Sequence, residues 1–162
     1  MKKKISKKQI IILTSFIILI FVTIITIILI KNGNNKLPRN AKWNESQNSV
    51  VKREQKDNDD VYINSDTVSI KNIDIFNDTA DYIFYKFDDT NKLNEIIVRF
   101  ETYGEYSKKF NNIADAVEDK LGKPVLSERD NIFPCEKWSM KNTYVEMSYD
   151  TYGNIDITYK KQ

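Results

Sequence analysis

The run from Ile10 to Ile30 holds no charged residue, and no other feature limits the possible folds of this chain so sharply. As a helix rising 1.5 Å per residue, about 21 residues reach about 31 Å, the hydrocarbon thickness of a bilayer. Its only polar side chains are Thr14, Ser15, Thr23 and Thr26, and such hydroxyls can donate back to a carbonyl of the preceding turn. A strand would leave backbone groups unsatisfied in lipid, so a helix is expected despite the many β-branched residues. Burying a rod that is apolar all round would take a much larger soluble protein. A cleavable signal would have a shorter apolar region and a small-residue site, and "ILIKNGNNKLP" offers none. The run therefore predicts a retained signal anchor, with the lipid bilayer as the partner of residues 10–30.

Lys2, Lys3, Lys4, Lys7 and Lys8 crowd the residues before the run, so residues 1–9 read as a cytoplasmic basic tail under the positive-inside rule. Lys31, Lys36, Arg39 and Lys42 follow the run more sparsely, which makes the bias one of density. The whole chain carries +2, yet residues 61–162 hold 13 Lys and Arg against 18 Asp and Glu, a net charge of −5. An acidic domain repels phosphate backbones and anionic headgroups, which argues against nucleic-acid binding and against lying flat on a membrane.

Residues 31–60 are rich in Asn, Lys, Gln, Ser and Asp and poor in apolar side chains. That composition buries too little surface to offset ordering entropy, so a flexible polar linker is expected there. Trp43 is its one large apolar residue, open to a partner-binding role, a headgroup anchor or an incidental contact. A calcium loop counted from Asp57 would need Gly and Glu where Tyr62 and Val68 stand.

From Val61 the apolar period is two. Ile83, Tyr85 and Phe87 share one strand face, as do Ile96, Val98 and Phe100, with "DDTNK" as a hairpin turn between them. "TVSIKNIDIF" alternates less cleanly. The period then changes: Tyr106, Phe110, Ile113, Ala114, Val117 and Leu121 form one helical stripe. Thr102 and Glu105 fit a capping box, and Gly122 with Pro124 supplies the stop. Strands return in "CEKWSM", "YVEMSYD" and "NIDITYK", the last two joined at "DTYG". The expected fold class is α+β, with a small antiparallel sheet packed against one helix in the order β-β-β-α-β-β-β. Residues 61–162 are assigned to this extracytoplasmic domain.

The chain has no histidine and one cysteine, which leaves no Ser-His-Asp or Cys-His system, no imidazole for zinc and no CxxC pair. Gly33, Gly104, Gly122 and Gly153 are too scattered for a phosphate-binding loop. No catalytic, cofactor-binding or metal residue is assigned and no cofactor is expected. Cys135 reads as a core residue or a reactive thiol. Asp88 and Asp89 are the nearest approach to the paired acids of a glycosidase, though their place in a turn points them into water. Asn44 and Asn77 begin N-glycosylation sequons, which an asparagine-rich chain also produces by chance. The abundance of Ile, Lys and Asn suggests an AT-rich bacterial genome.

Trp138, Tyr144, Tyr152 and Tyr82 fall outside the core stripes, where aromatic side chains suit a binding surface as well as ordinary strand propensity. "LGKP", a loop, the Trp138 strand and a hairpin together loosely resemble small secreted bacterial α+β domains that bind proteins or inhibit enzymes. No functional residue is carried across on that resemblance. The expectation is a non-catalytic, membrane-anchored binding or accessory module of a bacterial cell envelope, its partner another envelope or extracellular protein. An inhibitor or immunity-type protein is the alternative, and a carboxylate-only cell-wall hydrolase the second.

Overall fold

The computed structural model describes residues 36–57, 60–104 and 106–162, and Leu37–Gln162 form one compact unit. The expected span at 10–30 and Glu105 of the expected capping box lie outside the described residues. Among the described residues no helix is long and apolar enough to cross a membrane.

The fold is α+β. Eight strands, β1 (Val61–Ile63), β2 (Thr67–Ile75), β3 (Asp78–Phe87), β4 (Leu93–Phe100), β5 (Leu126–Glu128), β6 (Cys135–Met140), β7 (Thr143–Tyr149) and β8 (Ile155–Lys161), accompany two helices, α1 (Gln47–Glu54) and α2 (Tyr106–Leu121). The sheet is antiparallel throughout, in the order β1-β2-β3-β4-β8-β7-β6-β5. Six strands and one helix were expected. The extra strands, β1 and β5, are three-residue edge strands, too short to show a period of two.

One sheet face is apolar from edge to edge. Val68, Tyr85, Ile96, Tyr159, Val145 and Trp138 lie in register across β2, β3, β4, β8, β7 and β6, and all are buried. Both helices cover this face: Glu54 at the end of α1 meets the Tyr85 hydroxyl at 2.9 Å, and the Trp138 indole donates to Gly122 O, just past α2, at 2.8 Å. Five of the six residues expected on the α2 stripe, Phe110, Ile113, Ala114, Val117 and Leu121, are buried and Ala116 joins them, whereas Tyr106, in the first turn, is exposed. Gly122 ends the helix at φ +90°, in the left-handed region that costs glycine least. Thr102 donates its hydroxyl to Gly153 O at 2.6 Å, so it ties the start of α2 to the β7–β8 turn.

The uneven β2 pattern has a local cause. Asn72 has φ +52°, and the buried positions shift there from Val68 and Ile70 to Ile73. The β2–β3 turn is Phe76-Asn77, both at positive φ, the backbone of a two-residue type I′ hairpin. Phe76 is buried, and Lys120 of α2 lies 5.1 Å from its ring centre.

The largest correction concerns residues 31–60. Leu37, Ala41, Val50 and Glu54 are buried in the same core as the sheet, so over residues 37–57 the expected linker is folded. Trp43 donates to Thr143 Oγ1 at 2.8 Å, Asn44 N bonds Leu93 O at 3.1 Å, and Lys161 Nζ donates to Asn44 Oδ1 at 2.8 Å. Few apolar residues suffice because this segment completes an existing core instead of building its own. Glu54, fully buried, is held by Arg39 at 2.7 Å and Arg53 at 3.0 Å as well as by Tyr85.

Candidate functional site

The second meander, α2 with β5 to β8, repeats the plan of the first, α1 with β1 to β4, across the β4–β8 seam. The β3–β4 turn Asp88–Lys92 and the β7–β8 turn Asp150–Asn154 share one design. Each opens on an aspartate whose Oδ1 accepts from the backbone N–H groups two and four residues on, and each has positive φ at its fourth residue, Asn91 or Gly153. The Thr90 hydroxyl, donating at 2.7 Å, and then the backbone N–H groups hold the Asp88 carboxyl below its ordinary range. Burial pushes Asp150 up, but donation from Asn154 and Tyr152 with the nearby Arg99 charge outweighs it, and the net shift is downward.

The two halves differ beside these turns. In the first, Gln47 at the start of α1 donates its side-chain amide to Asn64 O at 2.8 Å, and its backbone N–H reaches Asn91 Oδ1 at 3.4 Å. The helix is thereby stitched to the loop and the hairpin. In the second, the corresponding wall of α2 presents Tyr106 and Ser107, and a cleft of about 460 Å³ opens between them, the β5–β6 loop and the β7–β8 turn.

The floor of the cleft is aromatic. Tyr149 packs against Phe110 at 5.4 Å and meets Tyr106 edge-on at 6.4 Å between ring centres. Burial, then the neighbouring Tyr106, raises the Tyr149 phenol above its ordinary range. Asn131, Asp150 and Thr151 add polar groups to the walls. Two of the most exposed apolar side chains in the fold, Ile132 (90%) and Phe133 (81%), line the cleft, and the exposed Tyr152 (87%) belongs to the β7–β8 turn that forms one wall. They come from two different loops, so no single stretch of sequence displays the cluster. The β5–β6 loop is pinned at its base by Arg129, which pairs with the buried Glu136 and with Asp115 and Glu118 of α2.

Of the residues singled out in the sequence, Tyr152 alone belongs to this cluster. Trp138 is core, its indole N–H satisfied by Gly122 O. Tyr144 and Tyr82 lie on the sheet face that carries no helix, where Tyr144 donates to Glu146 at 2.9 Å and Tyr82 stacks on Phe84 at 5.4 Å. That face is largely self-compensated: Glu95 pairs with Lys86 and Lys160, Arg99 with Asp156, and Lys71 sits 4.8 and 5.3 Å from the rings of Tyr62 and Tyr82.

Cys135 is also on this face, half-buried opposite Ser148, and is not a core residue. Burial, then the Glu146 carboxylate, raises its thiol pKa, the reverse of what a nucleophilic cysteine requires. Asp88 serves the turn, and the two sequon asparagines sit at positive φ, Asn77 in the β2–β3 turn and Asn44 beside Lys161. Among the described residues no three His, Cys, Asp or Glu side chains converge as a metal site requires. Comparison with protein-family models, with curated proteins and with solved structures finds no match to this chain.

Proposed function

We propose that this chain is a membrane-anchored extracytoplasmic binding module that engages another protein through the cleft at the start of α2. The observation that carries the reading is the exposed apolar pair Ile132 and Phe133 lining a cleft with an aromatic floor. Exposed apolar clusters of this kind are costly in water and mark interaction sites, and clefts with an apolar floor and a few polar groups suit an anchoring side chain. The uncharged run at residues 10–30 supports the membrane anchor.

A photo-crosslinking residue placed at Ile132 in living cells tests the reading, with the same residue at exposed Lys52 on α1 as control. A discrete adduct from position 132 and none from 52 is expected; equal or absent adducts at 132 overturn it. The loop braced by Arg129 favours a second reading, an inhibitor that inserts Ile132 and Phe133 into an enzyme's cleft. That reading requires producer cells lacking the protein to become sensitive to a toxin or hydrolase.

A further inference from the structure

We infer that Arg129 is the positioning residue of this surface: with one carboxylate on each of its three nitrogens it fixes the β5–β6 loop against α2, so that Ile132 and Phe133 are presented to a partner already in place. This rests on the binding-module reading and adds what sets the geometry of the site. The loop has little else to hold it. Residues 130–133 are all exposed, and their one backbone hydrogen bond among the described residues runs from Asn131 N–H to Glu128 O at 3.4 Å. β5, from which the loop leaves, is a three-residue strand at the edge of the sheet.

The guanidinium meets carboxylates from two elements. Its Nε donates to Glu136 on β6, Nη1 to Asp115 and Nη2 to Glu118 at 3.3 Å, the last two on α2. A planar fork with all three nitrogens engaged has one position, which a lysine ammonium cannot copy. α2 is also the wall that carries Tyr106 and Ser107, so the same bonds set the distance from that wall to the loop, and with it the width of the cleft. Glu136 serves position more than stability. It is fully buried; its Oε1 accepts from Arg129 and from Ser127 Oγ at 2.8 Å, but its Oε2 has no hydrogen-bond partner among the described residues. A half-satisfied buried carboxylate costs more than an apolar side chain of its size would. What it supplies instead is a fixed anchor for Arg129. Order established before binding lowers the entropy loss that binding must overcome.

The test uses the full chain in lipid nanodiscs, with a nitroxide spin label attached at Asn131→Cys in a Cys135→Ser background and, as control, at Lys52→Cys on α1. An immobilised electron paramagnetic resonance spectrum is expected at position 131. Arg129→Met with Glu136→Met removes both charges at once, so that neither is left buried without a partner. Arg129→Lys keeps the charge and loses the fork. Both changes should make the label at 131 mobile and leave the one at 52 unchanged. In cells, the photo-crosslinking residue at 132 should then give at least about tenfold less adduct, the scale expected when the loop must be ordered on binding. A mobile label at 131 in the parent protein overturns the inference, and so does a label that stays immobile in either variant. Mobility at position 52 in the Met pair overturns it as well, because Arg129 would then support the fold and not aim the loop. So does undiminished adduct from a loop shown to be mobile. Absence of the adduct from position 132 of the parent protein is the separate result that overturns the binding-module reading itself.

Discussion

Tyr85 shows how one buried residue couples the segment before the sheet to the sheet. Its hydroxyl donates to Glu54, which also binds Arg39 and Arg53. Burial, then the Glu54 charge and hydrogen bond, drives the Tyr85 phenol far above its ordinary value of 10. Tyr159, fully buried, is raised by burial alone. In the unfolded chain both phenols lose their protons near pH 10. The folded state keeps them, so the stability they confer is complete below about pH 10 and falls as pH rises beyond it. Tyr85→Phe should therefore flatten the alkaline limb of a stability-against-pH curve measured by urea unfolding, with Tyr159 sustaining the remainder. It should also cost about 1 kcal/mol at neutral pH through the lost hydrogen bond. No pattern in the sequence marks Tyr85 apart from Ile83 and Phe87, since all three share one face and only a long-range partner distinguishes them.

At the scale of elements, α2 and strands β3, β4, β7 and β8 were legible because each buries one face, and that requirement writes a period of 3.6 or 2 into adjacent residues. The end of α2 was equally plain: Gly122 has φ +90° with open space where a Cβ would stand, so conformation alone demands glycine. Gly122→Ala should cost about 1 kcal/mol, measurable as a fall in Tm, while leaving the Trp138 bond to the Gly122 carbonyl in place. The β2–β3 turn was not legible. Phenylalanine at φ +56° is unfavourable in isolation, and it is tolerated here because the ring is buried beneath Lys120. Turn rules that favour Asn-Gly cannot anticipate a strain offset by tertiary burial.

For the molecule as a whole, the consequence lies in where folding begins. A compact unit from Leu37 leaves residues 31–36 as the only stretch between it and the proposed span at 10–30. Limited trypsin digestion of the protein in nanodiscs should give a limit fragment whose first residue falls within 32–37. Early fragments beginning after Lys52 or Arg53 would instead indicate that α1 is not packed on the sheet.

The sequence alone determined the α+β class, the sheet strands with a two-sided pattern, the long helix with its stop, and the apolar run that carries the membrane proposal. Each of these is a local consequence of which solvent a face meets, repeated every few residues. Only the tertiary structure decided that residues 37–57 belong to the core, through contacts such as Trp43 to Thr143 and Lys161 to Asn44. It alone brought Tyr106, Phe133 and Tyr149 to one cleft. Those groupings join single residues far apart in the chain, and a contact made once leaves no period to read.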